Sequence, residues 1–352
     1  MVALVVGSLV TTSTPSLPAK SCAVNEEIQS KPNRRKDIDA AKGLAIILVV
    51  FGHVVARDIP SSGEWYGIVK SLVYTFHMPL FIFLNGFVFG LSWQDKSALS
   101  EQLNRSWFRA SRLIPPFLAM GLIIFLGKYI AAQYIAVDNP VIGLASITDL
   151  VLQPTASFSS FLWYLYVLSL IFMAFPLLYR LSSCRFVILL AISASLYLLP
   201  SSNLFAWIRI QELLFFFVFG VFCTRHIKEF NELIGKYWWI FGILLGAAWA
   251  TGIYTKLICG LLAIPFVMGL VGKSIWQNSK ALIWIGSFTL SIYLLNTIFI
   301  GISKAVLSRF FNWDGPLFLL FFCVLLFSGI VFPILTKQLI LRRNPILDKY
   351  TG

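Results

Sequence analysis

The sequence predicts an all-α integral membrane protein with about ten transmembrane helices and both termini in the cytoplasm. Of the 352 residues, 58% are hydrophobic and only 12% are charged, whereas soluble domains carry about a quarter charged residues. Apolar stretches long enough to cross a bilayer recur along the chain, and Lys and Arg are concentrated in alternate loops. The composition therefore excludes a soluble catalytic domain, and any chemistry takes place inside or at the edge of the bilayer.

Ten stretches reach or approach the length of about 20 apolar residues that a membrane-spanning helix needs. The third begins with Pro115 and Pro116, which suit the first turn of a helix because the N–H groups there have no intrahelical acceptor. The fifth, seventh and eighth are short. The predicted spans are 38–57, 71–93, 113–136, 160–180, 185–201, 204–224, 237–254, 257–273, 281–303 and 315–337.

Three regions follow from these spans. Residues 1–34 combine a weak apolar run with Thr, Ser and Pro, and no basic segment precedes the run as in a signal peptide. We therefore predict a disordered cytoplasmic N-terminal tail over 1–34. The transmembrane domain is predicted over 35–343, and a cytoplasmic C-terminal tail over 344–352.

The basic residues indicate the orientation. The net charge is +13, from 28 Lys and Arg against 15 Asp and Glu. Of the Lys and Arg, 20 fall on the side of the two termini and six on the opposite side. The positive-inside rule then places both termini in the cytoplasm and loop 137–159 outside, as expected for a multi-pass protein of the inner (plasma) membrane. This distribution explains most of the net charge, so nucleic-acid binding is not needed to account for it.

Polar residues on four predicted helices lie at a similar depth. His53 is about 21 Å above the cytoplasmic end of the first helix, and His77 is roughly 9 Å below the outer end of the second. Arg209 and Glu212 share one face of the sixth helix at i and i+3, and Asn296 is near the outer end of the ninth. Because ionisable residues inside a membrane usually face a bundle interior or a water-filled cavity, this level is the candidate catalytic site.

Each of these residues also has a purely structural interpretation. A histidine such as His53 can be a satisfied packing residue, and His77 can cap a carbonyl that Pro79 leaves without a donor. The remaining polar groups can form an ion pair (Arg209 with Glu212) or interhelical hydrogen bonds (Asn85 and Asn296).

A second signal lies on the cytoplasmic side. Lys42 is one turn inside the first helix, and three arginines recur at helical spacing before the third. Such cations suit the phosphates of a nucleotide-like donor, but also anionic lipid headgroups or topology alone. The five cysteines are scattered singly and the histidines do not cluster, so no metal site is predicted. The candidate donor-binding residues are Arg35, Lys42, Arg105, Arg109 and Arg112.

Several motifs resemble those of the acyltransferase-3 family, whose members are integral membrane acyltransferases that modify bacterial polysaccharides and related glycans. In RKDIDAAKGLAIILVVFGH, Lys42 is followed by ten residues and then His53, which is similar to the basic-x10-His signature of the family. Asn85 stands where the family usually has Ser, and Asn296 where it generally has His, so the role of that late histidine is not transferred. The other similar segments are FHMPLFIFLNGFVFG, RSWFRASRLIPPF, SFLWYLYVLSLIF and IGSFTLSIYLLN, at 76–90, 105–117, 160–172 and 285–296.

The resemblance implies transfer of an acetyl group from cytosolic acetyl-CoA to a sugar hydroxyl of a cell-surface or exported polysaccharide, or of its lipid-linked precursor. Basic groups including Lys42 would hold the donor phosphates, His53 would be the general base, and Glu212 or Asn296 would orient it, without a metal. Membrane lipids, a glycan or lipid-linked glycan acceptor and polysaccharide assembly proteins are the implied partners. The alternatives are a transporter or flippase of a lipid-linked sugar, and transfer of another acyl group such as succinyl or to an amine.

Overall fold

The computed structural model describes residues 35–55, 59–134, 137 and 139–351, and in this part of the chain the regular structure is entirely helical. Short 3-10 turns join several of the helices. The α-helices are α1 Lys36–His53, α2 Glu64–Leu91, α3 Leu99–Ser111, α4 Ile114–Ala131, α5 Ala145–Leu152, α6 Trp163–Leu181, α7 Phe186–Ser195, α8 Trp207–Arg225, α9 Ile227–Ala250, α10 Lys256–Val271, α11 Ser274–Gln277, α12 Lys280–Ser287, α13 Thr289–Leu307, α14 Phe318–Leu339 and α15 Pro345–Tyr350.

Seven helical segments among the described residues are long and apolar enough to cross a membrane. They agree with the prediction of an all-α, multi-pass membrane protein. Of the other three predicted spans, the first is α1, whose N-terminal half carries several charges, and the fifth and eighth are apolar helices of only 10–17 residues. The count of ten and the orientation of the termini stay predictions. The seven segments are Ser61–Leu91, Leu99–Ala131, Ser160–Leu181, Leu204–Arg225, Ile227–Ala250, Thr289–Leu307 and Phe318–Arg343.

The prediction of one span over 281–303 is wrong, because two helices, α12 and α13, occupy this region. The break is at Phe288, whose φ of −112° and ψ of 18° are not helical. α12 packs against α1, whereas α13 packs mainly against α14, so the chain changes its packing partner at this residue. Gly43 and Gly286 allow the first of these contacts, because a Cβ atom at either would collide with backbone of the other helix. Hydrophobicity alone does not reveal such a break.

Glycines also bring together the two helices that carry the central polar residues. A Cβ atom on Gly86 of α2 would collide with the carbonyl of Phe217 in α8, and one on Gly220 of α8 would collide with the carbonyl of Phe83 in α2. The two backbones therefore approach as closely as small residues permit in membrane helix pairs. α1 packs against α2 and α13, α10 packs against α2 and α8, and α6 packs against α8, which places these helices around one another.

The C-terminal segment folds back on the helices that precede it. Lys337 of α14 is fully buried, and its Nζ lies 2.8 Å from Asp348 Oδ1 and 2.8 Å from Thr351 Oγ1. Ser291 of α13 donates to the carbonyl of Thr351 at 2.7 Å. The segment predicted as a tail over 344–352 is thus a short helix docked on α13 and α14 as far as it is described. The predicted N-terminal tail, 1–34, lies outside the described residues.

Candidate active site

Two of the cavities between the helices are lined by predicted site residues, one by His53, His77 and Glu212 and the other by Lys42 and Arg112. The His53 cavity has a volume of about 280 Å³ and the Lys42 cavity about 370 Å³. The polar and aromatic residues of the His53 cavity are His53, Tyr74, His77, Phe161, Trp163, Tyr164, Arg209, Glu212, Lys256 and Tyr293. Those of the Lys42 cavity are Lys42, Phe81, Asn85, Arg112, Tyr164, Ser287, Thr289 and Tyr293.

The two cavities meet at a pair of tyrosines. Tyr164, at the start of α6, and Tyr293, in α13, line both cavities. Their ring centroids are 5.3 Å apart, and the side chains are 5% and 4% exposed. These two rings therefore form the boundary that the two cavities share.

The hydrogen bonds around His53 fix which ring nitrogen carries the proton. The Nδ2 of Asn296 donates to the carbonyls of Ile292 and Tyr293, both at 2.8 Å, and a carbonyl can only accept. The Oδ1 of Asn296 therefore faces His53 Nδ1, 2.7 Å away, and accepts a hydrogen bond from its N–H. A neutral imidazole has one N–H, so Nε2 of His53 keeps its lone pair. Asn296 thus orients a histidine base.

His77 lines the same cavity, and a backbone contact fixes its ring. Its Nδ1 is 2.9 Å from the carbonyl of Val73, so Nδ1 carries the proton. The ring is also 4.9 Å from that of Tyr74. Pro79 has no N–H for the carbonyl of Thr75, four residues before it. The imidazole therefore bonds to a different carbonyl from the one that the proline frees.

A cluster of three charges forms one wall of the His53 cavity. Glu212 lies 2.9 Å from Arg209 and 2.6 Å from Lys256, and the guanidinium of Arg209 stacks 5.2 Å from the Trp163 ring. Two cations thus hold Glu212, while the hydrogen-bonding partner of His53 is Asn296. Lys256 falls between the predicted spans 237–254 and 257–273 and is not among the predicted site residues. It begins α10, and its long side chain reaches Glu212 in α8.

The Lys42 cavity receives two of the five predicted donor-binding residues. Lys42 enters it from α1, and Arg112 from the C-terminal end of α3. Asn85 and Ser287 add polar groups to its wall. The other three predicted residues contact neighbours elsewhere: Arg35 with Asp37, Arg105 with Glu101, and Arg109 with Ser92.

No group of three or more His, Cys, Asp or Glu residues that could hold a metal ion is found in the described ranges of the chain.

Similarity to known proteins indicates the family of this chain. The acyltransferase-3 family model, described as an acyltransferase domain, matches residues 35–337. The nodulation protein NolL of Mesorhizobium japonicum is 28% identical over 222 residues, which cover 61% of this chain and 55% of NolL. The chain thus spans about half the length of this relative. No solved structure matches. Because the family model covers most of the chain and both cavities, the protein belongs to the acyltransferase-3 family of membrane acyltransferases.

Proposed function

We propose that the protein transfers an acetyl group from cytosolic acetyl-CoA to a sugar hydroxyl of a cell-surface or exported polysaccharide, or of its lipid-linked precursor. The observation that carries this proposal is the pair of adjoining cavities: one contains Lys42 and Arg112, and the other contains His53 in the tautomer that a general base needs. Cations for a phosphorylated donor and a base for a hydroxyl acceptor thus occupy neighbouring compartments.

The donor would enter the Lys42 cavity. Phosphates form strong, charge-assisted hydrogen bonds with Lys and Arg, which suits Lys42 and Arg112. Lys42 and His53 are 11 residues apart in α1, or about 16 Å along the axis. An extended thioester arm would cover this distance from the phosphates to the two tyrosines, and its acyl group would lie beside the His53 cavity.

The reaction follows from the state of His53. Its Nε2 accepts the proton of the sugar hydroxyl while the hydroxyl oxygen attacks the thioester carbonyl carbon. When the resulting tetrahedral intermediate collapses, the C–S bond breaks and the coenzyme A thiolate takes the proton from the imidazolium. Asn296 keeps the ring in position throughout, because its Oδ1 accepts from Nδ1 in the neutral and the protonated ring alike.

The acceptor would occupy the His53 cavity. At about 280 Å³ this cavity is near the lower end of the range for ligand pockets, about 300–1,000 Å³. That size suits one sugar unit at a time. Tyr74 and Trp163 offer aromatic faces, and the cluster of Arg209, Glu212 and Lys256 offers charged hydrogen-bonding groups for sugar hydroxyls.

The proposal includes a location: the inner (plasma) membrane, with both termini in the cytoplasm and the acceptor supplied by polysaccharide assembly proteins. Reporter fusions after residue 150 and at the C-terminus test the orientation. We expect an external signal at 150 and a cytoplasmic one at the C-terminus. An external signal at the C-terminus would contradict the proposed path of the donor.

The decisive test compares a deletion strain with its parent by mass spectrometry of surface and lipid-linked glycans. We expect the deletion to remove the mass of one acetyl group, and a plasmid with the wild-type sequence to restore it. Inverted membrane vesicles with radiolabelled acetyl-CoA or succinyl-CoA then identify the acyl group. Unchanged glycan masses with reduced glycan export would favour the transporter instead.

A further inference from the structure

The hydroxyl of Tyr164 is held as a hydrogen-bond acceptor by its neighbour Asn85. The Nδ2 of Asn85 donates to Tyr164 Oη at 2.6 Å and to the carbonyl of Phe81 at 2.8 Å. Because the Phe81 carbonyl can only accept, the amide nitrogen and not the amide oxygen must face it, and the same nitrogen faces the tyrosine. The proton of Tyr164 is therefore not given to Asn85.

Tyr293, the other tyrosine between the cavities, is in the opposite situation. Its hydroxyl donates to the backbone carbonyl of Phe161. This hydrogen bond joins α13 to the turn just before α6. The two hydroxyls differ in role although their rings are adjacent.

Acyl transfer needs a hydrogen-bond donor at the boundary between the two cavities, where Tyr164 and Tyr293 lie. If the donor lies in the Lys42 cavity and the base is His53, the thioester carbonyl lies between them, beside the tyrosines that line both cavities. Negative charge develops on its oxygen during the attack, and a positioned donor in a site away from water stabilises that charge strongly. This placement of the thioester carbonyl rests on the proposed function.

We propose that Tyr164 is a catalytic residue whose hydroxyl donates a hydrogen bond to the carbonyl oxygen of the acyl donor and to the oxyanion formed from it. The hydroxyl proton stays on Tyr164, while the proton of the sugar hydroxyl goes to His53 and then to the thiolate. Asn85 makes the Tyr164 hydroxyl a stronger hydrogen-bond donor, because a hydroxyl that accepts a hydrogen bond itself donates more strongly.

The test is Tyr164→Phe, which removes the hydroxyl and keeps the ring. Inverted vesicles of a deletion strain that contain its own glycan acceptor are supplied with radiolabelled acetyl-CoA. Loss of one oxyanion donor typically lowers kcat by about 10²–10³-fold, and we expect a fall of this size with little change in KM for acetyl-CoA. Tyr293→Phe, the matched variant at the same boundary, should lose less, because its hydroxyl contacts backbone.

A second variant separates donation from packing. Replacement of Tyr164 by 3-fluorotyrosine keeps the fold and makes the phenol a stronger hydrogen-bond donor. If Tyr164 stabilises the oxyanion, the 3-fluorotyrosine protein should be active, and its kcat should differ from that of the wild type. If Tyr164 serves only in packing, the two kcat values should be equal.

Two results would overturn the proposal for Tyr164. One is wild-type kcat in Tyr164→Phe, and the other is a rise in KM for acetyl-CoA at unchanged kcat, which would make Tyr164 a donor-binding residue. In either case a loss of transfer in His53→Ala would leave the proposed function intact. Wild-type transfer in both variants would instead remove the proposed function.

Discussion

The His53 cavity and the Lys42 cavity adjoin, yet their polar groups are held in different ways. In the former, His53 is bonded to Asn296, and Glu212 lies within 3 Å of the cations of both Arg209 and Lys256. In the latter, Arg112 lies at the end of α3, 3.4 Å from a backbone carbonyl of the C-terminal segment. A proton transfer needs fixed geometry, whereas phosphate binding depends more on charge. We therefore expect substitutions in the His53 cavity to change kcat and those in the Lys42 cavity to change donor affinity.

The largest expected effect is that of His53→Ala. Positioned general bases contribute roughly 10²–10⁴-fold in rate, so acetylation should fall by that order while acetyl-CoA binding and the amount of protein in the membrane stay unchanged. Glycan mass spectrometry, donor binding to purified protein and immunoblots measure the three quantities.

The control for His53→Ala is His226→Ala, which removes a histidine whose ring packs on Phe222 at the junction of α8 and α9. It should acetylate like the wild type. Wild-type acetylation in His53→Ala would refute the mechanism, and loss of protein together with activity would assign His53 to packing.

The second prediction concerns the Lys42 cavity. Hydrogen bonds to charged groups contribute about 1.5–3 kcal/mol, so Lys42→Ala should weaken acetyl-CoA binding by about 10–100-fold. Arg105→Ala is the matched variant, because Arg105 carries the same charge and is predicted on the same side of the membrane, but is paired with Glu101 and 40% exposed. Its effect on the dissociation constant, measured by calorimetry, should be much smaller. Unchanged affinity in Lys42→Ala would assign this lysine to lipid contact or topology.

The position of each residue along its helix predicts its depth in the membrane, because an α-helix rises regularly by about 1.5 Å per residue. This rule placed His53, His77, Arg209 and Glu212 at one level, and the structure brings all four to one cavity. Lys256 escaped this prediction because it begins a short helix and reaches the cavity only through its long side chain.

Other features depend on contacts between residues that the sequence alone does not reveal. Arg105 and Arg112 have helical spacing, yet Glu101 engages the first and only the second lines the Lys42 cavity. Tyr164 and Tyr293 carry no charge in the membrane and resemble ordinary aromatic packing residues in the sequence. The break at Phe288 coincides with the change of packing partner between α12 and α13, which hydropathy does not encode.

The third prediction tests how the His53 ring is oriented. Asn296→Leu removes the acceptor for Nδ1 and leaves the ring free to rotate or to change tautomer. One hydrogen bond of about 1–1.5 kcal/mol corresponds to roughly tenfold, so kcat should fall by about that factor with the KM for acetyl-CoA unchanged. Asn296→Asp, which keeps an oxygen acceptor, should retain more activity than Asn296→Leu. Equal kcat values in the two variants would mean that Asn296 supports packing and not the tautomer.

The smallest expected effect belongs to the C-terminal helix beside the Lys42 cavity. Lys337 donates to Asp348 and lowers the pKa of its carboxyl, so the pair supports docking of α15 above the unfolded pKa, about 3.9, and this support is lost as the pH falls through the lower folded value. At neutral pH Asp348→Asn should increase proteolysis of the segment only modestly, because Lys337 also contacts the Asp348 carbonyl and Thr351.

Asp348→Asn also tests whether the Lys42 cavity can be changed without the His53 cavity. Arg112 lies 3.4 Å from the carbonyl of Lys349, so loosening α15 should raise the KM for acetyl-CoA slightly and leave kcat unchanged. Steady-state kinetics in vesicles at pH 7 measures both, and Asp149→Asn, in α5, provides the matched loss of one carboxylate. A lower kcat at unchanged KM in Asp348→Asn would mean that the C-terminal helix acts on the His53 cavity, and the separation of rate from affinity would fail.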